Sequence, residues 1–586
     1  MKFQSLKHPF GPTKTEFSED NGASEFPTHV KFEGIRRQAL ETGRNRLLVT
    51  GSLFILAFVA VSIRLFELAL VDQAVEEVQA PRLAIVSELP KIRSDIIDRN
   101  GILLATSLPT ASLYANPRQI LDPREATKKL LTVFPNLNSE KMTKKLSSNK
   151  SFVWLRRNLT PKTQFLVNTL GIPGLEFQRT ERRVYPHGRL VSHTLGLTNI
   201  DGRGLSGIEG YFDKSLRGND KPIELTIDIR LQSVLREELS QAAQEFKAIG
   251  AAGLILDPTN GEVRAMVSLP DFDPNKPVTA SGKAGFNRAT KGVYEMGSTF
   301  KLFTVAMALD SGTTSLKNRY DATKPIKISR FRISDYHAKN RWLSVPEIIV
   351  HSSNIGAAKI AMEIGTPAQK KYLKRFGMLT PARIELPEIG RPLAPDYWQK
   401  INTMTISYGH GIAVSPLQLV SGIAALVNGG ILYRPRMIRL PTKDKIIGSR
   451  VLSENTSKQM RNLMRLVVRH GTGRNADVPG YFIGGKTGTS DKRGVRGGYD
   501  RSRRMSSFVA AFPMDKPKSV ILIMLDEPKG TKSTFGHATG GWVAAPVVAK
   551  VVKRMAPLIG LKPSQRSEKS LKPGDVLFIE AKIDKN

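Results

Sequence analysis

The chain has no cysteine. That excludes disulfides, thiolate metal sites, cysteine nucleophiles and a lipid anchor attached through Cys. It suits an oxidising compartment without requiring one. Also missing are a Lys/Arg-dense tract with interleaved aromatics and any zinc, RRM or KH signature. The formal charge of +36, from 88 Lys plus Arg against 52 Asp plus Glu, therefore carries no nucleic-acid reading. The basic residues are spread along the chain, as suits work beside polyanionic envelope polymers or anionic lipid. Long apolar runs are scarce too, with a single exception near the N-terminus. What is present is ordinary for folded protein: 40% hydrophobic and 24% charged residues over 586 positions. At roughly 100–200 residues per domain, three or four units are expected.

The exception is Leu47 to Ile63, LLVTGSLFILAFVAVSI, a stretch of 17 uncharged residues bounded by Arg46 and Arg64. It lies near the lower limit for crossing a bilayer, for which about 20 residues are needed. Leu65 to Val71 adds apolar length, and Arg64 can snorkel. Arg36, Arg37, Arg44 and Arg46 precede it, which puts the N-terminus in the cytoplasm. A cleaved signal peptide needs an A-x-A site, and residues 60–84 hold none. A buried globular helix is the other reading, but the run is apolar on all sides. The expectation is a cytoplasmic tail over 1–46, a single transmembrane helix over 47–70, and everything beyond outside the cytoplasm.

Residues 72–90 read as a stalk. Ile92 to Ala105 reads as a hairpin turning on Asp98-Arg99-Asn100-Gly101, with Asn-Gly supplying positive φ. Residues 117–170 look helical and polar, and Gly171 to Gly218 irregular or β. The stretch 71–220 is expected to be one mixed extracytoplasmic module. A second unit, 221–561, opens with a strand at Ile223 to Ile229 and a helical pattern at Leu231 to Ala248. A hairpin follows at Gly250 to Ser268, turning on Asp257 to Gly261. Tyr481 to Thr489, Ser506 to Phe512 and Ser519 to Leu525 are three further strands. Strands at both ends of a long helical middle imply an α+β domain whose sheet joins the two chain ends. Residues 562–586 read as a charged tail.

Three short motifs carry chemistry. Ser298-Thr299-Phe300-Lys301 follows Gly297 and opens an apolar helical run, so Lys301 lies one turn from the Ser298 hydroxyl. A serine hydroxyl needs a base to become a nucleophile, and a lysine desolvated beside other cations can be that base. The helix start offers free N–H groups to an oxyanion. Ser147-Ser148-Asn149-Lys150 matches the same spacing, but it sits in a polar run and reads as a surface loop. Ser352-Ser353-Asn354, beginning 54 residues after Ser298 (352 − 298), precedes another helical run. Ser352 can relay a proton and Asn354 can bind a substrate amide carbonyl; equally, the triplet can be a plain N-cap. Ser453-Glu454-Asn455 reads as a cap or turn. Lys486-Thr487-Gly488-Thr489 follows Gly484-Gly485 on a strand. There Lys486 can bind a carboxylate, Gly488 can let a ligand backbone approach, and the Thr489 N–H can complete an oxyanion hole with that of Ser298. A Gly-rich turn after an edge strand is the bland alternative.

S-x-x-K, S-x-N and K-T-G in this order, each in the fitting element, are the set used by penicillin-binding proteins and β-lactamases. The chain resembles class B penicillin-binding proteins over nearly its whole length, most closely the division-specific, septal kind. Arg93 to Gly101 looks like the family's hairpin after the anchor, with Ser94 where Gly is usual. Arg183-Val184-Tyr185-Pro186 and Gly207-Ile208-Glu209 look like motifs of its pedestal. Asp257 to Gly261 and Phe272-Asp273-Pro274-Asn275 look like the opening of its transpeptidase domain. Ser407-Tyr408-Gly409-His410-Gly411 with Ser415 to Leu419 looks like its septal segment, His410 departing from the commonest form.

The resemblance implies a penicillin-binding/β-lactamase-like transpeptidase domain, with a central antiparallel sheet and helices, on an elongated, dimerisation-type pedestal. It implies a serine-type D-Ala-D-Ala transpeptidase/carboxypeptidase that cross-links peptidoglycan stem peptides at the septum and is acylated by β-lactams, with no cofactor and no metal. Ser298, Lys301 and Ser352 are the expected catalytic residues; Asn354, Lys486, Thr487, Gly488 and Thr489 are expected to bind substrate. The implied partners are a multispanning glycan polymerase and other division proteins, with no nucleic acid, at the inner (plasma) membrane. An elongation-type enzyme, or a β-lactam sensor or non-catalytic scaffold, is the alternative.

Overall fold

A computed structural model of the chain describes residues 44, 48–66, 93–218, 221–328, 331–441, 444, 446–494 and 497–564. The expected stalk at 72–90, most of the tail over 1–46 and the charged tail from 565 onward lie outside these residues. In the first unit, α1 (Leu48–Phe66) is a 19-residue helix of mean hydropathy 2.2. At 1.5 Å per residue it is about 28 Å long, enough for a bilayer core. It runs on through Arg64 rather than stopping there. This apolar helix suggests a single-pass membrane anchor.

The second unit begins with β1 (Ile96–Ile97) and the long β2 (Leu103–Ala115), paired antiparallel. The turn between them differs from expectation. Of Asn100 and Gly101 only the glycine has positive φ, at 82°. The rest of the turn is held by the Asp98 carboxylate, which accepts from the N–H groups of Asn100 (2.7 Å) and Ile102 (2.8 Å). β2 also pairs with β3 (Val153–Leu159) and β4 (Leu175–Val184). β3 breaks the predicted helical stretch: Trp154, Arg156 and Arg157 alternate too poorly to announce a strand, yet Leu155 and Leu159 face a core with Leu113, Leu130 and Leu146. The helices Pro123–Val133, Ser139–Leu146 and Pro161–Asn168 cover that core, each opened by a capping side chain, respectively Asp122, Asn138 and Thr160. The predicted strand at 223–229 shrinks to β5 (Ile223–Glu224), parallel to β1. Asp228 instead caps the next helix through Arg230 N–H.

The stretches that carried the resemblance meet here. The buried Glu209 carboxylate takes one hydrogen bond from Arg93 Nε and one from Arg183 Nε, both at 2.6 Å. Asn275 holds the Tyr185 backbone from both sides, at 3.0 and 2.9 Å. Ser94 donates to the Leu216 carbonyl at 3.2 Å.

The larger sheet runs β8-β9-β10-β6-β7, all antiparallel, where β6 is Gly250–Leu256, β7 Val263–Leu269, β8 Gly484–Arg493, β9 Tyr499–Phe512 and β10 Ser519–Asp526. The two chain ends do build it together. β10 is buried along its length because both faces are covered. Ile521 and Ile523 face α2 (Ile229–Glu245) and the C-terminal α7 (Ala545–Leu558). Val520, Leu522 and Met524 face the helical middle. That two-sided burial is why its sequence is an unbroken apolar run. The middle contributes α3 (Phe300–Asp310), α4 (Asn354–Ile364), α5 (Pro416–Val427) and α6 (Glu454–His470). β8 is an edge strand, and the nucleophile turn lies against it.

Candidate active site

Ser298 sits in a short 3₁₀ turn, Gly297–Thr299, directly before α3 rather than inside it. Three glycines make the seat. A Cβ on Gly297 (φ +55°) would lie 2.5 Å from the Thr489 carbonyl oxygen, and one on Gly409 (φ +83°) 2.1 Å from that of Gly297. A Cβ on Gly488 would meet Ser507 Oγ at 2.4 Å and the Met296 carbonyl at 2.7 Å. The missing side chain of Gly488 thus admits the nucleophile turn, a need the sequence reading did not name.

Lys301 is fully buried. Its Nζ lies 2.9 Å from Ser298 Oγ, 3.1 Å from Ser352 Oγ, 2.6 Å from the Ser352 carbonyl and 2.7 Å from Asn354 Oδ1. Lys486, equally buried, reaches Ser352 Oγ at 2.9 Å and Thr487 Oγ1 at 3.2 Å. The partners of both amines are hydroxyl, amide and carbonyl oxygens, with no carboxylate among them. Burial without a counter-charge disfavours ammonium. It holds Lys301 well below the ordinary lysine value, helped by the charge of Lys486 and opposed by Asp335. Burial likewise pulls Lys486 down to about 7.

The residues of the S-x-N triplet sit in different local settings. Ser353 is the N-cap of α4, accepting from Gly356 N–H at 3.0 Å. Ser352, at φ +60°, is bent toward the lysines. A left-handed serine costs on the order of 1 kcal/mol, the kind of strain kept at working sites. Asp335 supports the corner. It accepts from Ser353 Oγ (2.7 Å) and from the N–H groups of Asn354 (2.6 Å) and Ile355 (3.0 Å). Asn354 donates from Nδ2 to the Ser334 carbonyl at 2.9 Å. Thr487 Oγ1 also meets Thr472 Oγ1 at 2.8 Å, and Thr489 Oγ1 accepts from Gly540 N–H at 3.2 Å.

All eight predicted residues therefore gather in one place, where β8, the nucleophile turn before α3 and the start of α4 meet. The sequence reading missed Asp335, which no motif spacing marks, and Glu295, whose contacts are with distant elements. The two decoys fall where expected. Ser147 ends a surface helix of the pedestal, and Ser453 caps α6.

An α+β domain with this buried Ser-Lys-Ser-Lys chain on an edge strand defines a class of serine acyltransferase, and sequence comparison agrees. Residues 251–553 match the penicillin binding protein transpeptidase domain, and residues 88–245 the penicillin-binding protein dimerisation domain. The chain belongs to the penicillin-binding protein transpeptidase family. It is 42% identical over 485 residues to a probable peptidoglycan D,D-transpeptidase FtsI of Caulobacter vibrioides, covering 80% of this chain and 82% of that one. It is 29% identical over 512 residues to the peptidoglycan D,D-transpeptidase FtsI of Escherichia coli, covering 82% and 85%. Among solved structures, penicillin binding protein 3 of Mycobacterium tuberculosis complexed with ampicillin superposes with TM-score 0.66 at 22% identity, over 82% of this chain and 98% of that one. That last likeness is one of fold.

Proposed function

We infer that the protein is a serine D,D-transpeptidase that cross-links peptidoglycan stem peptides. The observation that carries this is the buried Lys301 amine, 2.9 Å from Ser298 Oγ and without a carboxylate partner among the described residues. A neutral amine has two N–H groups and one lone pair. The Ser352 carbonyl and Asn354 Oδ1 can only accept, so they take the two N–H groups, and the lone pair is left for a hydroxyl proton. Lys301 is then the base for Ser298.

In this reading the Ser298 oxygen attacks the carbonyl of the penultimate D-Ala as its proton passes to Lys301. The N–H groups of Ser298 and Thr489 receive the oxyanion. Ser352, touching both amines, hands a proton to the departing D-Ala nitrogen as the peptide bond breaks. The amine of a neighbouring stem peptide then attacks the acyl-enzyme, returning the proton and freeing Ser298. Lys486 and the Thr487 hydroxyl receive the terminal carboxylate, whose charge raises the Lys486 pKa and favours its ammonium form. The second N–H of Asn354 Nδ2, beyond the one given to the Ser334 carbonyl, suits a donor-peptide carbonyl. β-Lactams acylate the same serine.

The septal assignment, the cytoplasmic N-terminus, the 71–220 pedestal and 221–561 catalytic boundaries, and the partnership with a membrane glycan polymerase and division proteins belong to the same proposal. Their supports are the names of the relatives, the arginines before α1 and the segment from Ser407 to Leu419. The test is release of D-Ala and formation of cross-linked product from a pentapeptide-bearing glycan by the full chain in detergent. Both are expected with the wild type and neither with Ser298→Ala; turnover by Ser298→Ala would refute the assignment. Depletion in cells should give elongated, unseptated cells, whereas rounded cells would place the enzyme in elongation.

A further inference from the structure

Glu295 lies three residues before the nucleophile and belongs to none of the three motifs. Its carboxylate takes a hydrogen bond from Gly411 N–H at 3.0 Å and from the Tyr499 hydroxyl at 3.1–3.2 Å, the latter shared between both oxygens. Gly411 lies in the loop that seats Gly297, and Tyr499 begins β9 beyond the tip of the β8–β9 hairpin. The Glu295 carbonyl accepts from Ser490 Oγ on β8 at 2.6 Å. Tyr294 is paired to Val414 through both backbone groups, at 2.9 and 3.0 Å. His410 fills the space between, its ring centroid 5.3 Å from those of both Tyr408 and Tyr499. One short segment is thus tied to the loop on one side and to the hairpin on the other. The link from Gly297 N–H to the Gly409 carbonyl, by contrast, is long at 3.3 Å.

We propose that Glu295 is a positioning residue for acylation: its carboxylate ties the 409–414 loop to the β8–β9 hairpin across the nucleophile turn, and so fixes Ser298 relative to Thr489. The physical need is strict. Groups that attack and stabilise must be held to within about 0.5 Å, and a 1 Å misplacement costs on the order of 10²-fold in rate. Around the turn, the Tyr294–Val414 backbone pair reaches the loop and the Ser490 hydroxyl reaches from the hairpin, each on one side. The carboxylate bridges both, and Tyr499, close to half exposed at 46%, holds its far end.

This inference rests on the transpeptidase reading, and the experiment separates the two. The full chain in detergent is acylated with a fluorescent penicillin over a range of concentrations, giving the non-covalent affinity and the limiting acylation rate separately, with a thermal unfolding midpoint for each variant. Failure of the wild type to label would sink the reading of function itself. With the wild type labelled, Glu295→Ala should lower the limiting rate by about 10²-fold with affinity little changed. Glu295→Gln, whose amide oxygen still accepts, should recover most of the rate. Tyr499→Phe should slow acylation by less, and the double variant Glu295→Ala/Tyr499→Phe should be no slower than Glu295→Ala. Wild-type rates in a folded Glu295→Ala would overturn the proposal. So would a Glu295→Gln as slow as Glu295→Ala, which would make charge rather than position the working property, or losses that simply add in the double variant. Should Glu295→Ala fail to fold, Tyr499→Phe decides: slowed acylation supports the proposal, and a wild-type rate overturns it.

Discussion

Among the described buried basic residues, two pairs are handled in opposite ways. Arg93 and Arg183 share the Glu209 carboxylate at the junction of the N-terminal module, with Asp213 as a further anion for Arg93 at 2.8 Å. Lys301 and Lys486 share only the neutral Ser352 hydroxyl. A guanidinium keeps its proton under all working conditions, so burying it demands a carboxylate. An ammonium can shed its proton instead, and these two are driven to do so. The arginines hold the scaffold in one arrangement. The lysines, with no carboxylate partner among the described residues, are held below the ordinary lysine value.

The largest expected effects break the lysine site. Ser298→Ala should abolish acylation by penicillin, and Lys301→Ala should slow it by about 10²–10⁴-fold, both with the thermal midpoint near that of the wild type. A Lys301→Ala variant that acylates normally would remove the base from the account.

Next comes the arginine site. Glu209→Ala removes the carboxylate shared by two buried guanidinium groups, leaving Arg93 its Asp213 contact, and should cost about 3–5 kcal/mol of stability, read as a lowered denaturant midpoint. The fraction that remains folded should acylate at the wild-type rate, because the site lies in the other module. Unchanged stability would erase the contrast between the two pairs.

A sharper version uses pH. Below about 7, Lys486 is protonated in folded and unfolded chains alike, and the buried charge weighs fully against folding. Between that pH and the ordinary lysine value, only the unfolded chain holds the proton. Stability should therefore rise with pH over this window, by up to about 1.4 kcal/mol per unit for one proton. Lys486→Met should flatten this slope. It should also move the rising limb of acylation to higher pH, because the charge of Lys486 helps depress Lys301. The thermal midpoint and the acylation rate measured across pH 6–10 check both.

The smallest effect is the control. Ser147→Ala, in the decoy S-x-x-K, should leave labelling unchanged and alter stability by no more than about 0.5 kcal/mol.

The motifs were readable because they are local: Ser298 and Lys301 share a helix turn, and β10 announces two-sided burial in its own sequence. What stayed hidden depends on distance in the chain. Nothing in Ser352-Ser353-Asn354 says that the middle serine caps the helix while the first takes a left-handed bend toward Lys301. That division is enforced by Asp335, 18 residues before Ser353. The need for Gly488 lies in Met296 and Ser507, far away in sequence. β3 escaped notice because Arg156 and Arg157 blur its alternation, and the Asp98 turn because a side chain, not a second left-handed residue, completes it.

The central claim is that Ser298, activated by a neutral Lys301, forms the acyl-enzyme. Its most direct test is covalent labelling of the full chain by fluorescent penicillin, with the adduct mapped by peptide mass. The account predicts a label that persists for many minutes on the peptide containing Ser298, rising in rate with pH, and absent from Ser298→Ala. Label retained by Ser298→Ala, or no label on well-folded wild type, would contradict it.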